Sequence, residues 1–167
     1  LYEMFMGPLQ AVKPWSTKGV EGVFRFLKRA CKFVTENPIE DRPLTADEAR
    51  ALAKMIKKVG EDYEKMKYNT AIAAMMTLVN AIYAKGSVTR GELLALVKLL
   101  NPVAPHITEE INQLCKLSDA ELMYAEWPKY DEAALVKDTV EVALQINGKL
   151  RGRMDVPDAP HRQPRAM

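Results

Sequence analysis

The sequence predicts a mainly α-helical protein, in which an antiparallel helical bundle is followed by a β-hairpin. Apolar residues recur at spacings of three and four from about residue 18 to residue 116, the period of amphipathic helices. Two Thr-x-x-Glu capping boxes mark helix starts within that region. After residue 138 apolar and polar residues alternate on both sides of Asn147-Gly148, which is a strong signal for a hairpin with a type I′ turn.

The first long helix is predicted over Lys18–Thr35. Its apolar stripe has helical spacing and consists of Val20, Val23, Phe24, Leu27, Cys31 and Val34. The segment before it breaks at Gly7-Pro8 and crosses a loop that contains Pro14-Trp15. Trp15 could stack on a nucleobase, but we expect it to pack across the entry to the helix.

Thr45 and Glu48 form the first capping box and begin the next helix. The apolar positions of this helix are Ala49, Leu52, Ile56, Val59, Tyr63 and Met66. A further helix, over Thr70–Lys85, follows a short break and ends at Gly86, where a C-cap glycine belongs. Its apolar positions are Tyr68, Ile72, Met75, Val79 and Ile82.

The second capping box, Thr89 and Glu92, begins a helix that ends at Asn101-Pro102, because the residue before proline disfavours the α region. Pro105 then begins a last helix that runs to about Cys115.

Composition divides the chain into four parts: a bundle (1–117), an acidic connector (118–138), a hairpin (139–156) and a disordered tail (157–167). We expect the connector to hold at most one short helix. A lone hairpin is only marginally stable in water. We therefore expect this one to be the start of a truncated C-terminal domain.

The net charge of +2 is unevenly distributed. Residues 1–35 carry six Lys or Arg against two acids, residues 118–141 carry two against seven, and residues 142–167 carry five against two. Basic ends separated by an acidic connector fit an elongated anionic partner that is contacted at two places. No apolar run approaches the ~20 residues of a membrane-spanning helix, so we expect no membrane partner.

The residues that carry chemistry are sparse. The two histidines, His106 and His161, lie in no metal-binding motif, and the sequence has no HExxH, Walker or GxGxxG motif. Cys31 and Cys115 are far apart in sequence and predict two free thiols. We therefore expect no catalytic residue, no metal site and no bound cofactor in this chain.

The candidate binding site is a basic stripe on the first long helix, formed by Arg25, Lys28, Arg29 and Lys32. Their spacing places them on one face, opposite Phe24, Leu27 and Cys31. Like charges at these spacings repel each other, and a polyphosphate backbone would offset that cost. The alternative is a solvated face whose charge is neutralised by acids of a neighbouring helix.

A second candidate lies in the hairpin, where Lys149, Arg151 and Arg153 occupy alternate positions of one strand. Alternate residues share one face of a strand. This face could contact phosphate, or it could protect a sheet edge by its charge.

Four segments, taken in order, resemble bacterial-type leucyl-tRNA synthetases: LYEMFMGPLQAVKPWSTKGVEGVFRFL (1–27), NTAIAAMMTLVNAIY (69–83), LLNPVAPHITEE (99–110) and VALQINGKLRG (142–152). The resemblance implies the anticodon-binding helical domain of a class I synthetase. It implies tRNA(Leu) as partner, with Arg25, Lys28, Arg29, Lys32, Lys149 and Arg151 as tRNA-binding residues. Asn112 departs from the family, which usually has an aromatic residue there, and we expect this to thin the packing.

The resemblance also implies a parent enzyme that joins leucine to tRNA with ATP and Mg²⁺. The family's His-Ile-Gly-His and Lys-Met-Ser-Lys-Ser motifs match nothing here and are expected upstream, in a catalytic domain of the same chain. A monomer in the cytoplasm is expected. Valyl- and isoleucyl-tRNA synthetases share the bundle, and an all-α module that binds protein is a further alternative.

Overall fold

The computed structural model describes residues 1–135, 139–146 and 149–157. The helices are α1 (Tyr2–Phe5), α2 (Thr17–Glu36), α3 (Ala46–Glu64), α4 (Tyr68–Lys85), α5 (Arg90–Leu100) and α6 (Pro105–Cys115). The strands are β1 (Ile39–Glu40), β2 (Val88–Thr89), β3 (Thr139–Ile146) and β4 (Lys149–Pro157). Three short 3₁₀ turns cover Asn101–Val103, Leu122–Tyr124 and Glu132–Leu135. The predicted fold class, a helical bundle followed by a hairpin, is confirmed.

Both predicted capping boxes are present. The Thr45 hydroxyl accepts from the Glu48 amide at 3.3 Å, and the Glu48 carboxylate accepts from the Thr45 amide at 2.9 Å. Thr89 and Glu92 make the equivalent pair at 3.2 and 2.8 Å. Gly86 ends α4 with a φ of 77°, the left-handed region that a C-cap glycine adopts readily.

The core forms where α3, α4 and α5 pack against one another, with α6 against α5. Residues at its centre are almost without solvent contact, and include Val59, Ile72, Met75, Leu99 and Ile111. The apolar positions predicted for α4 from Ile72 to Ile82 are all buried. In α3 the prediction is wrong at Met66, which lies past the end of the helix with a φ of 54° and is largely exposed.

The apolar face of α2 differs from the predicted one. The buried residues are Val23, Phe26, Ala30, Phe33 and Val34. Phe24 is 63% exposed, and Leu27 and Cys31 are only half-buried. The apolar residues of α2 cover so wide an arc that a stripe at spacings of three and four can be drawn in two ways. The neighbours that α2 contacts, α4 and α6, determine which of the two is buried.

A short parallel pairing of β1 and β2, which the sequence did not predict, brings the two capping boxes together. Ile39 pairs with Val88 and Glu40 with Thr89. Beside this pairing the Lys85 ammonium donates to Glu48 at 2.7 Å and to Glu92 at 2.7 Å. One lysine at the end of α4 therefore joins the N-termini of α3 and α5.

The acidic connector packs on the bundle. The Leu122 side chain is buried, and its amide donates to the Glu109 carboxylate at 2.6 Å. The Trp127 ring lies edge-on to Tyr63, with ring centroids 5.6 Å apart. In residues 118–135, the described part of the connector, there are two 3₁₀ turns and no α-helix, where at most one short helix was expected. The three boundaries between the four parts predicted from composition stay predictions.

Asn112 does not thin the packing as expected. It is 3% exposed, accepts from the Ser118 amide at 3.0 Å and donates to the Ala120 carbonyl at 3.3 Å. An aromatic ring could not make these two bonds. Asn112 therefore replaces apolar packing by hydrogen bonds that attach the start of the connector to α6.

In the hairpin, β3 and β4 are antiparallel, with Thr139 opposite Pro157 and Ile146 opposite Lys149. A register shift between Leu144 and Gln145 marks a bulge. The turn predicted at 147–148, and the tail from residue 158 onward, lie outside the described residues. Within the described part of the chain, no helix is both long enough and apolar enough to cross a bilayer.

Candidate nucleic-acid interface

Helix α2 presents the predicted basic stripe to solvent. Its start is fixed by Ser16, whose hydroxyl accepts from the Gly19 amide at 3.2 Å, while the Ser16 amide donates to the Tyr2 hydroxyl at 2.8 Å. Because Val23, Phe26, Ala30 and Phe33 face the bundle, the opposite face is turned outward. All four cations of the stripe, Arg25, Lys28, Arg29 and Lys32, are exposed.

Arg29 is held in place by α4. Its guanidinium donates to the Asn80 amide oxygen at 3.0 Å and lies over the Tyr83 ring, 4.5 Å from the centroid. The Tyr83 hydroxyl donates to the Arg29 carbonyl at 2.7 Å, and its ring meets Phe33 edge-on at 4.7 Å. These partners are neutral, so Arg29 is oriented while its positive charge is left unbalanced.

The other three cations differ in their partners. Lys32 lies 3.6 Å from Glu36 of its own helix, in an exposed pair that is worth little. Arg25 and Lys28 make no ion pair with any acid in residues 1–135. The alternative in which acids of a neighbouring helix neutralise the stripe is therefore unsupported in this part of the chain.

An apolar groove of about 470 Å³ runs beside the stripe, between α1, α2 and α4. Its lining residues are Phe5, Met6, Gly19, Gly22, Val23, Arg25, Phe26, Arg29 and Met76. The groove has two arginines and, among the described residues, no acidic lining side chain. It can therefore accept an apolar or aromatic group that carries negative charge at one end.

Trp15 packs less than we expected. Its ring touches Tyr2 edge-on, with centroids 5.0 Å apart, but 71% of the residue is exposed. The packing prediction holds only for this one contact, and most of the ring surface is available to a partner.

The second basic candidate is located by the backbone register alone. Lys149 is opposite Ile146, Leu150 is opposite Gln145 and Gly152 is opposite Leu144, so Arg151 has no partner at the bulge. The extra residue interrupts the strict alternation from which we predicted one shared face. The side chains of Lys149, Arg151 and Arg153 lie outside what the structure describes.

The described residues contain no cluster of three or more His, Cys, Asp or Glu side chains that could hold a metal ion. The thiols of Cys31 and Cys115 are free and half-buried. Burial raises the pKa of the Cys115 thiol above its ordinary value, which keeps it protonated and weakly nucleophilic.

Sequence reasoning missed Asn80 and Tyr83, the residues that orient Arg29. With Met76 they form a second row along α4, at spacings of four and three beside the buried row. An aromatic and an amide side chain in this row were the signal in the sequence that the row could contact a neighbouring helix. Which helix it faces could not be read from α4 alone.

Comparison with known proteins identifies the domain. Residues 49–162 match the sequence model of the family described as the anticodon-binding domain of tRNA ligase. This chain belongs to that family. The anticodon-binding domain so defined includes α3 to α6 and the hairpin, whereas the basic stripe on α2 precedes the matched residues.

Curated relatives of this anticodon-binding domain include leucine–tRNA ligases from three bacteria. The ligase of Alkaliphilus oremlandii is 45% identical over 92% of this chain. Those of Chlorobaculum tepidum and Chlorobium phaeobacteroides are 46% and 42% identical over 94% of it. These matches extend beyond the family match to most of the chain. The chain spans only about one fifth of the length of these relatives, 19 to 20%.

A solved structure with the same fold is the ternary complex of a LeuRS from Agrobacterium radiobacter K84 with tRNA and LeuAMS. The TM-score is 0.75 at 31% identity, over 93% of this chain and 23% of that one. The resemblance to leucyl-tRNA synthetases seen in the sequence is thereby confirmed.

Proposed function

We propose that this anticodon-binding domain is part of a leucine–tRNA ligase and that it holds tRNA(Leu) through the basic stripe of α2. The supporting observation is the excess of positive charge on this face of α2: the four exposed cations share it with two acids, Glu21 and Glu36, and among the described residues only Glu36 forms an ion pair with the stripe. The sugar–phosphate backbone of tRNA is the anion that matches such a row. Contacts of this kind position the tRNA without reading its sequence.

The parent enzyme in this proposal joins leucine to tRNA(Leu) with ATP and Mg²⁺ in a catalytic domain upstream of this one. It acts in the cytoplasm, as a monomer and without a membrane partner. Lys149 and Arg151 provide a second contact with the tRNA. The role of the domain itself is to bind and orient, and the chemistry belongs to the catalytic domain.

The experiment replaces Arg25 and Lys28, which, unlike Lys32, have no ion-pair partner in residues 1–135 and, unlike Arg29, no hydrogen bond to α4. The double variant Arg25→Gln, Lys28→Gln should weaken binding of tRNA(Leu) and flatten the slope of log affinity against log salt by about two, one unit for each lost phosphate contact. Binding is measured by filter retention or anisotropy over a series of salt concentrations. Stability should change by no more than about 0.5 kcal/mol, because both side chains are exposed.

The matched control is Lys54→Gln, Lys57→Gln, which removes the same charge from exposed positions of α3, outside the stripe. In this control, the slope of log affinity against log salt should stay within about half a unit of that of the unsubstituted chain. Equal loss of affinity in both variants would indicate a general effect of net charge, and an unchanged slope in the α2 variant would contradict the proposal.

A further inference from the structure

The groove between α1, α2 and α4 has the composition of a site for a nucleobase. Its floor is made by Val23 and Phe26, which are buried, and its walls by Phe5, Met6 and Met76. A volume of about 470 Å³ lies within the range of small-ligand pockets, roughly 300–1,000 Å³. An aromatic ring suits such a lining, because it buries a large apolar area against aromatic and methionine side chains.

The cations are placed at the same groove. Arg25 and Arg29 follow Gly22 by three and seven residues on α2, and all three line the cavity. Arg29 is already oriented by Asn80 and Tyr83, so little side-chain entropy is lost when it binds an anion. An occupant that fits both the apolar lining and the two arginines carries a planar apolar ring and a phosphate.

Gly22 lines the groove and leaves space there that a larger side chain would fill. A methyl group built at this glycine would meet no atom within 4 Å, whereas one at Gly19 would come within 2.8 Å of the Tyr2 ring. Glycine in a helix interior costs roughly 0.5–1 kcal/mol relative to alanine. Gly19 therefore has a packing reason to be glycine, but at Gly22 the surrounding protein supplies none.

We propose that this groove receives the base of one unpaired tRNA nucleotide, whose phosphate is bound by Arg25 and Arg29. The inference rests on the proposed tRNA binding and adds a base contact to it. Unpaired bases are those that proteins can insert into apolar slots, since bases within a duplex remain stacked.

The test distinguishes the contribution of the base to binding affinity from that of the phosphates. Two fluorescent probes are titrated into this chain at low salt: a six-residue oligouridylate and an abasic ribose-phosphate oligomer of equal length and charge. The uridylate should bind about fivefold to tenfold more tightly, since insertion or stacking of one base contributes that much. Both probes should show the same salt slope.

Filling the groove should abolish the difference. In Gly22→Leu the two probes should bind equally, with the affinity and salt slope of the abasic probe unchanged. Gly22→Ala, which adds only one methyl group, should retain most of the difference and serves as the matched control. Gly22→Met is the second filling variant, and thermal melting verifies that each variant is folded.

Each outcome has one meaning. The groove proposal would be overturned if the unsubstituted chain bound both probes equally. It would also be overturned if the difference in affinity between the probes remained in both Gly22→Leu and Gly22→Met. Salt-dependent binding of the abasic probe would persist in that case, so the phosphate contacts of the proposed function would stand. Loss of binding to both probes in Gly22→Leu, with the fold intact, would also count against base insertion.

Discussion

Asn112 illustrates how one residue can attach two parts of the molecule. Its buried side-chain amide makes hydrogen bonds with both Ser118 and Ala120, at the start of the connector. The resemblance implied weaker packing here, because the family usually has an aromatic residue where this chain has Asn112. The hydrogen bonds could not be foreseen, because they depend on where the chain turns after Leu117.

Replacement of Asn112 by leucine should destabilise the fold by about 1–2 kcal/mol, since the partly buried Ser118 amide and Ala120 carbonyl would lose their hydrogen-bond partner. The measurement is urea unfolding followed by circular dichroism. Gln113→Leu, at the exposed neighbouring position, should stay within about 0.5 kcal/mol. Equal costs at both positions would mean that hydrophobic exposure, and not the lost bonds, causes the effect.

The row of cations on α2 was predictable residue by residue, but its surroundings were not. Spacing alone placed Arg25, Lys28, Arg29 and Lys32 on one face, and all four are exposed. The opposite face was predicted with Phe24 in the core, and the bundle instead buries Phe26 and Phe33. A broad apolar arc leaves the rotation of a helix undetermined until its neighbours are known.

At the scale of elements, the capping boxes do more than begin α3 and α5. Glu48 accepts from Arg42 at 2.7 and 2.8 Å and from Lys85 at 2.7 Å. These bonds, with that from the Thr45 amide, lower the pKa of Glu48 far below its ordinary value of 4.5. Each box is a local signal that sequence reveals, while the bridge through Lys85 requires the tertiary fold.

Glu48→Gln should lower stability at pH 7 by about 1–2 kcal/mol, through loss of charge-assisted bonds. A lowered folded-state pKa gives stability that is present above the unfolded-state value, about 4.5, and is lost as the pH falls below it. The difference in unfolding free energy between the unsubstituted chain and Glu48→Gln should therefore become smaller from pH 7 to pH 3. Thermal melts over this pH range measure it.

The control for this prediction is Glu61→Gln. Glu61 forms only an exposed pair with Lys65 at 3.9 Å, so its replacement should change stability little at any pH. If the stability difference caused by Glu48→Gln stays constant with pH, the negative charge of the Glu48 carboxylate does not contribute to stability.

The hairpin is expected to be the least stable of the described elements. Its two strands pair with each other along their whole length, and a two-stranded sheet alone is marginal in water. In hydrogen exchange, amides of 142–146 should exchange faster than those of 52–59 in the buried part of α3. Equal protection would mean that the hairpin is docked on the bundle, and would move the predicted boundary at residue 138.

At the scale of the whole molecule, helix order and fold class followed from periodicity, caps and proline positions, because these signals are local. The packing of the connector did not, since its composition is acidic and no local pattern shows that Leu122 and Trp127 pack on the bundle. The groove beside the stripe was also invisible. The groove forms only where α1 and α4 pack against α2, and no local sequence pattern predicts that packing.

The last prediction concerns catalysis by the chain as a whole. We expect it to bind tRNA(Leu) but to catalyse no leucine-dependent exchange of pyrophosphate into ATP. Its sequence contains neither a His-Ile-Gly-His nor a Lys-Met-Ser-Lys-Ser motif, and its described residues offer no group for a metal ion. Activation of leucine by ATP needs contacts with the triphosphate and a divalent cation in fixed geometry, which an exposed row of four cations cannot supply.

The exchange assay should use the leucine–tRNA ligase of Chlorobaculum tepidum as its positive control, because that relative is 46% identical where it overlaps this chain. The same preparation of the chain must bind tRNA in the salt series, so that lack of activity is not mistaken for lack of folding. Exchange above background that is lost on replacement of Arg25 and Arg29 would place nucleotide chemistry on α2, and the division between binding here and catalysis elsewhere would be wrong.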